Sequence, residues 1–267
     1  MSVARILIVA GSDSGGGAGI QADIKTVTLL GGHAMTAITA ITAQNTLGVT
    51  DVHAIPADSV IAQIDAVASD IGVDAVKIGM IGSPDTAARV AERLCAADLA
   101  DVPVVFDPVM IATSGSRLAS AETIAVFGDL MCRATLSTPN LDELGALAGL
   151  ILSDEASVAA AVTGLIERLG CGAILVTGAE LCKGELTDLL FDRSGPEASH
   201  RWSARRIDTI HDHGTGCTLA SAVATGLGQG MTLDASIERA RRFVRSALEH
   251  APGLGRGHGP MGHRALA

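Results

Sequence analysis

The stretch RILIVAGSDSGGGAGIQAD, at positions 5–23, contains the pattern that sets the fold class of this chain. Its first part, residues 5–10, is an apolar run with little alternation, which predicts a strand covered on both faces of a sheet. Five glycines follow between Gly11 and Gly19, and a helical pattern begins after them. A buried strand that turns through glycines into a helix is typical of α/β proteins.

Short apolar runs alternate with helical patterns along the rest of the chain. Further strands are predicted at 34–43, 75–78, 102–106, 134–137 and 173–177, and helices at 58–71, 84–97 and 154–169. Such alternation implies right-handed crossovers and a mostly parallel sheet with helices on both faces. The polar segment 184–206 could hold a hairpin or short edge strands. Because no linker or repeat is visible, residues 1–267 are predicted to form one domain.

The composition limits the partners that the chain can have. Hydrophobic residues make up 48% and charged residues 18%, which indicates a globular protein. Lysine and arginine number 19 against 29 aspartates and glutamates, so the formal net charge is −10. So acidic a chain is not expected to bind nucleic acid or an anionic membrane. The five cysteines form no CxxC pair, and neither a signal peptide nor a membrane span is visible, so a reducing cytoplasm is expected.

The tetrad Gly214-Thr215-Gly216-Cys217 opens the helical run 218–227. Its glycines allow close approach of the backbone to a ligand, and the first amides of the helix favour an anion. A reactive side chain beside such donors has the geometry that phosphoryl transfer needs. The alternative is an ordinary glycine turn before a helix with a small buried cysteine.

The glycine-rich loop 11–19 resembles a nucleotide-phosphate loop but lacks its details. No Lys-Ser or Lys-Thr follows a GxxxxG spacing, and Ile20 stands where a GxGxxG motif starting at Gly15 needs glycine. We therefore expect the loop to close over a small polar ligand, with Asp23 one turn into the helix. A flexible loop with a solvated aspartate is the alternative.

Polar side chains, and one methionine, follow the other predicted strands. Gln44 can pair with a heterocycle that carries a ring nitrogen beside an amino group, and Met80 can form an apolar wall for a flat ring; a polar loop and a core methionine are the alternatives. Asp107 and Glu143 follow two further strands, where carboxylates can hold Mg²⁺ through its waters. Asn140 could simply cap a helix. Ligands of such sheets lie beyond the carboxyl ends of the strands, which places all these side chains at one edge.

Taken in order, the motifs AGSDSGGGAGIQADIKT, TAQNTLGV, VKIGM, DPVM, TPNLDE, HGTGCTLASA and GHGP resemble those of the hydroxymethylpyrimidine/phosphomethylpyrimidine kinases of thiamine biosynthesis. The resemblance extends from the first strand to the C-terminal tail. It implies the ribokinase-like fold, a three-layer α/β/α sandwich, and a homodimer. It also implies ATP as co-substrate and Mg²⁺ as cofactor, with phosphorylation of 4-amino-5-hydroxymethyl-2-methylpyrimidine to its monophosphate and then to the pyrophosphate.

The resemblance assigns roles to residues that match the family motifs. Those that would bind the aminopyrimidine are Gly11, Asp23, Gln44, Met80 and Val109. Those that would contact the nucleotide are Asn140, Thr177 and Gly178, and those that would position magnesium are Asp107 and Glu143. The anion hole would consist of Gly214, Thr215 and Gly216, with Cys217 in the place of the catalytic base. We expect the helix N-terminus to lower the pKa of this thiol from about 8.5, so that a thiolate accepts the proton of the substrate hydroxyl.

Two positions depart from the family pattern. Thr177 stands where the family often has a lysine near the nucleotide phosphates, and Thr113 stands in the place of a lysine found in some relatives. Since threonine brings no charge, ATP affinity or the second phosphorylation could be weaker, unless Arg256 or Lys183 substitutes. The alternatives are a pyridoxine or pyridoxal kinase, which would act on a similar flat hydroxymethyl heterocycle, and a pyrimidine-binding protein without catalysis.

Overall fold

The computed structural model describes residues 3–113, 115–182 and 184–263. All of its strands belong to one nine-stranded sheet. They are β1 (Arg5–Asp13), β2 (His33–Asn45), β3 (Gly48–Ala54), β4 (Ala75–Ile78), β5 (Val104–Phe106), β6 (Leu136–Ser137), β7 (Ala173–Cys182), β8 (Glu185–Phe191) and β9 (His200–Arg205). The helices are α1 (Gly19–Leu29), α2 (Ala57–Asp70), α3 (Pro84–Arg93), α4 (Ala121–Ala125), α5 (Phe127–Arg133), α6 (Leu141–Ala148), α7 (Glu155–Leu169), α8 (Thr215–Gly228) and α9 (Leu233–Glu249).

The strands lie in the order β3-β2-β1-β4-β5-β6-β7-β8-β9. The run from β2 to β7 pairs in parallel, while β3 pairs antiparallel at one edge and β8 and β9 at the other. The expected mostly parallel sheet is confirmed, as is a hairpin within 184–206. Strand β3 was not predicted, because its residues 48–54 are largely exposed and show no apolar run.

Two hydrophobic cores cover the two faces of the sheet. Along β1, Leu7 and Val9 belong to one core, while Ile6 and Ile8 belong to the other. The first core packs mainly against α2, α3, α5 and α7, and the second against α1, α8 and α9. This is the three-layer α/β/α sandwich that the resemblance implied.

The ends of α3 and α7 follow local capping rules. Ser83 caps α3 through the amide of Thr86, with Pro84 at the first helical position as expected. Helix α7 is capped by Asp154, and it ends at Gly170 in the left-handed conformation. Within the described ranges, no helix is long and apolar enough to cross a membrane.

Candidate active site

A cavity of about 580 Å³ opens at the carboxyl edge of the sheet. Loops that follow the parallel strands line it, together with the first turn of α8. Every predicted site residue except Asp23 lies in its wall. These residues are Gly11, Gln44, Met80, Asp107, Val109, Asn140, Glu143, Thr177, Gly178, Gly214, Thr215, Gly216 and Cys217.

The turn at Gly214 presents the start of α8 to this cavity. Gly214 has φ +89°, and a β-carbon there would collide with the carbonyl oxygen of Gly17, so a side chain is excluded. No described side chain caps α8. The amides of its first turn therefore remain available for an anion. Gly216 faces the Asp107 carboxylate, since a β-carbon would lie 3.5 Å from Oδ2.

The thiol of Cys217, in the first turn of α8, is half-buried. Burial raises its pKa to about 12, although the Lys77 ammonium partly opposes this effect. The expected lowering of the pKa by the helix N-terminus is therefore wrong. The cost of desolvating the thiolate outweighs the stabilisation that the helix N-terminus gives to its negative charge.

Lys77 forms a buried ion pair beneath the cavity. Its Nζ lies 2.9 and 3.0 Å from the two carboxylate oxygens of Asp23, and both side chains are fully buried. Ser221 of α8 donates a third hydrogen bond to Asp23, at 2.7 Å. Burial alone would lower the pKa of Lys77, but the neighbouring carboxylates and the Cys217 thiolate raise it above its usual value.

This ion pair changes the interpretation of Asp23. The side chain does not line the cavity, and its oxygens are occupied by Lys77 and Ser221. Direct binding of a substrate by Asp23 therefore has no support in its position. The motifs assigned no role to Lys77, although a lysine inside the apolar strand 75–78 was a signal that a buried partner exists.

A second polar cluster joins the glycine-rich loop to the tetrad. Asp13 accepts hydrogen bonds from the amides of Gly15, Gly17 and Ala18 at 2.8–2.9 Å. Its carboxylate also lies 3.0 Å from Nε2 of His213. Burial would raise the pKa of Asp13, but the hydrogen bonds from His213 and the loop amides hold it below its usual range.

The same histidine contacts the predicted pyrimidine ligand Gln44. Nε2 of His213 lies 3.1 Å from the amide nitrogen of Gln44, and Nδ1 lies 3.3 Å from the hydroxyl of Thr113. Three segments that are distant in sequence thus meet at one imidazole. Sequence analysis did not select His213 or Asp13, although both belong to motifs that it quoted.

The predicted magnesium ligands lie on adjacent elements. Asp107 follows β5, and its Oδ2 is buried with no hydrogen-bond partner among the described residues. Glu143 accepts the amide of Asn140 at 3.0 Å, and Asn140 accepts the amide of Glu143 at 2.9 Å. Asn140 is therefore the helix cap that the alternative interpretation foresaw, and it also lines the cavity.

Both carboxylates bind protons more tightly than usual. Burial raises the pKa of Asp107 to about 6, with the Lys77 ammonium opposing and the Asp23 carboxylate adding to the effect. Burial and the charge of Asp107 raise the pKa of Glu143 to about 8. A positive charge beside Asp107 and Glu143 would therefore be stabilised, because it would offset the repulsion between the two carboxylates.

A second cavity of about 310 Å³ adjoins the first. The two share Thr177, Gly178, Thr215 and Gly216. Gly178 has φ +61°, with open space where a side chain would be. Apolar side chains of β8 and α9 line the far wall, including Leu186, Val244 and Leu248. Lys183, one predicted substitute for the missing family lysine, lies outside the described residues; Arg256, the other, lines neither cavity.

A family model described as phosphomethylpyrimidine kinase matches residues 13–262. The chain belongs to this family. The resemblance noted from the motifs is thereby confirmed, and the ordered arrangement of motif residues around one cavity agrees with it.

Several relatives within the kinase family are close to this chain over most of its length. The bifunctional thiamine biosynthesis protein ThiED of Geobacter sulfurreducens is 47% identical over 97% of this chain, which spans 52% of that protein, about half its length. The hydroxymethylpyrimidine/phosphomethylpyrimidine kinase of Mycobacterium tuberculosis is 44% identical, covering 98% of this chain and 94% of that protein. The Bacillus subtilis protein of the same name is 41% identical, covering 100% and 97%.

Solved structures of related kinases share the fold. An ADP complex of Bacillus subtilis pyridoxal kinase has a TM-score of 0.88 at 33% identity, covering 99% of both chains. The pyridoxal kinase of Staphylococcus aureus bound to pyridoxal has a TM-score of 0.87 at 30% identity, covering 98% of this chain and 94% of that one. Phosphomethylpyrimidine kinase from Clostridium difficile has a TM-score of 0.78 at 33% identity, covering 92% and 99%. The ribokinase-like fold expected from the sequence is confirmed.

Proposed function

We propose that this chain phosphorylates 4-amino-5-hydroxymethyl-2-methylpyrimidine with ATP and then phosphorylates the resulting monophosphate. One observation carries the proposal. The first turn of α8, which no described side chain caps, lines the cavity both with its backbone amides and with the Cys217 thiol. The Mycobacterium tuberculosis and Bacillus subtilis relatives, at 44% and 41% identity, carry names that match this activity.

The pyrimidine ring is assigned to the wall formed by Gly11, Gln44 and Met80. A β-carbon at Gly11 would lie 3.0 Å from the sulfur of Met80, so the glycine lets the backbone approach this methionine closely. A thioether favours contact with a flat ring. The Gln44 amide, 3.1 Å from His213, would contribute the polar contacts of the ring.

Transfer to the alcohol requires that a proton leave the substrate hydroxyl. The hydroxyl oxygen forms a bond to the γ-phosphorus, the bond from this phosphorus to the β–γ bridging oxygen breaks, and ADP leaves with the electron pair. We assign acceptance of the hydroxyl proton to the Cys217 thiolate. The amides of Thr215 and Gly216 would stabilise the charge on the transferring group, as positioned donors do.

The carboxylates of Asp107 and Glu143 fit a magnesium ion. The unpartnered Oδ2 of Asp107 and the raised pKa values of both groups indicate that a cation is favourable there. Two carboxylates are enough for Mg²⁺, because this ion retains several of its waters. When bound, the ion neutralises phosphate charge. Manganese, as a spectroscopic substitute, should bind the wild type and bind Asp107→Asn more weakly, measured by electron paramagnetic resonance.

The nucleotide is assigned to the second cavity. Its phosphates would lie where the two cavities join, at Thr177, Gly178 and the first turn of α8, and its base against the apolar wall of β8 and α9. Asn140, in the first cavity beside Thr177, completes the predicted nucleotide contacts. The ADP and AMP-PCP complexes among the related pyridoxal kinases support a nucleotide site in this fold.

An ADP-release assay with purified protein tests the proposal. The pyrimidine alcohol, its monophosphate and pyridoxal are supplied in turn, because pyridoxal kinases share the fold at a TM-score of 0.88. Release of ADP with the pyrimidines at a kcat/KM well above that with pyridoxal is expected. Faster turnover of pyridoxal would favour a pyridoxal kinase, and tight pyrimidine binding without ADP release would favour a binding protein.

Three further proposals concern the domain organisation, the cellular location and the oligomeric state. We propose one kinase domain, supported by a single sheet that includes strands from Arg5 to Arg205. We propose a cytoplasmic location from the five cysteines, which form no CxxC pair. A homodimer is proposed from the family resemblance, and sedimentation equilibrium measures it directly.

A further inference from the structure

Basic side chains are few in the two cavities. The first cavity is lined by Lys77 and Arg117, and the second by Arg206, Arg241 and Arg245. A phosphorylated substrate and a nucleotide together bring several negative charges into this space. It therefore matters which of these cations is available to a ligand.

Four of the five already have partners. Lys77 is held by Asp23 at 2.9 Å, and Arg241 is held by Asp188 at 2.5 Å. Arg206 lies 3.1 Å from Glu180, and Arg245 donates to the carbonyl oxygen of Arg205 at 3.0 Å. In the part of the chain that the structure describes, the guanidinium of Arg117 has no hydrogen bond or ion pair.

The position of Arg117 is nevertheless set by its backbone. Arg117 pairs with Ile111 across an antiparallel bridge, and the amide of Ala112 donates to the carbonyl of Ser116 at 2.8 Å. The amide of Leu118 donates to Met110 at 2.8 Å, which ties the base of this loop to the end of β5. The backbone on both sides of Arg117 is thus held by hydrogen bonds, while the side chain is exposed at the cavity mouth.

The other charged side chains that line the first cavity are unfavourable for a phosphomonoester. Four carboxylates line this cavity, those of Asp13, Asp107, Asp142 and Glu143. Like charges repel strongly in a cavity of low dielectric constant. A dianionic phosphate on the substrate therefore needs a cation that is not already neutralised.

We propose that the guanidinium of Arg117 binds the phosphate of the phosphomonoester acceptor in the second transfer, an inference that rests on the proposed function. Arginine binds phosphate through two parallel hydrogen bonds, which also orient the accepting oxygen. An oxygen of that phosphate forms the new bond to the γ-phosphorus. The bond to the β–γ bridging oxygen breaks, and ADP leaves with the electron pair.

The two transfers then depend on different side chains. A phosphate monoester has a second pKa of about 6, so its oxygens carry no proton at neutral pH and need no base. The alcohol carries no charge, but its proton must be removed. Arg117 is accordingly required for the second transfer, and Cys217 mainly for the first.

The test compares Arg117→Ala with the wild type on both acceptors. We expect kcat/KM for the monophosphate to fall about 10- to 100-fold, the size expected for losing hydrogen bonds to a charged group, mainly through KM. The value for the alcohol should change less than about threefold. Arg117→Lys should recover part of the loss. Arg242→Ala, which removes an exposed arginine of α9, is the matched control and should leave both values unchanged.

Several outcomes would overturn the assignment. Equal losses on both acceptors, or no loss on the monophosphate, would remove the role of Arg117 while leaving the kinase function intact. Loss of the second transfer in Arg256→Ala instead would give the role to the C-terminal arginine. If the wild type released no ADP with either acceptor, the proposed function would fail. Calorimetric binding of the monophosphate to the wild type and Arg117→Ala would then still decide the inference.

Discussion

At the scale of single residues, the environment of Cys217 sets the chemistry. The thiol is half-buried between a buried ammonium and two carboxylates, and its pKa is raised to about 12. The thiol is therefore protonated at neutral pH. The small thiolate fraction, which is strongly basic, is the species that can take a proton from an alcohol.

Replacing Cys217 with alanine should separate the two transfers. We expect kcat for the alcohol to fall by about 10²-fold or more, the usual contribution of a positioned base. The monophosphate reaction, which needs no base, should fall much less, and pyrimidine binding should remain. Rapid-quench assays with each acceptor measure this. A Cys217→Ala enzyme that turns over the alcohol at the wild-type rate would exclude the base assignment.

The pH dependence of the first transfer should reveal the same group. Because the raised pKa keeps the thiol protonated, the thiolate fraction increases about tenfold per pH unit below that pKa. We expect kcat/KM for the alcohol to rise more steeply between pH 7 and 9 than kcat/KM for the monophosphate, because titration of Glu143, whose pKa is raised to about 8, affects both acceptors alike. Cys217→Ala is the control, and its alcohol profile should lose the additional rise. A flat wild-type profile for the alcohol would contradict the assignment.

At the scale of secondary-structure elements, one buried ion pair joins three of them. Lys77 of β4, Asp23 of α1 and Ser221 of α8 meet beneath the start of α8. Their positions hold the layer of helices that carries Cys217. A buried charge that loses its partner is costly, so this cluster couples stability to the shape of the site.

Replacing Lys77 with methionine should strongly destabilise the fold. Since Asp23 would remain buried without its partner, the free energy of unfolding should fall by about 3–5 kcal/mol. The double variant Lys77→Met, Asp23→Leu should recover much of the loss. The matched surface variant Arg89→Met, which removes an exposed partner of Asp58, should cost less than about 1 kcal/mol. Urea denaturation measures all three, and a wild-type stability in Lys77→Met would show that the pair is dispensable.

At the scale of the whole molecule, the sheet order brings distant segments to one imidazole. His213 contacts Asp13 of β1, Gln44 of β2 and Thr113 after β5. The central position of β1, between β2 and β4, makes this convergence possible. A ligand that contacts one of these segments therefore affects the others.

Hydrogen exchange should show this coupling. When the pyrimidine alcohol binds without nucleotide, we expect amide exchange to slow in all three peptides that contain Asp13, Thr113 and His213. These segments should respond together because their side chains contact one another at the cavity. Peptides from β8 and β9, in the nucleotide region, serve as the control and should change only when nucleotide is added. Protection confined to a single segment would contradict the coupling.

Most of the architecture followed from local patterns. The apolar runs predicted the six parallel strands, with 75–78 matching β4 at both ends, because a strand buried on both faces needs a continuous hydrophobic sequence. The motif order predicted the cavity wall, since the carboxyl ends of parallel strands share one edge. Neither kind of signal was present in the exposed edge strand β3 or in the short helices α4 and α5.

The long-range polar contacts followed only from the three-dimensional packing. No spacing in the chain indicates that Lys77 pairs with Asp23, 54 positions away, or that His213 meets Asp13, 200 positions away. The same packing buries Cys217 enough to reverse the pKa shift expected from its helix position. It also leaves Arg117 at the cavity mouth without a partner among the residues that the structure describes. Desolvation and charge pairing depend on neighbours in space, whereas helix, strand and turn preferences depend on neighbours along the chain.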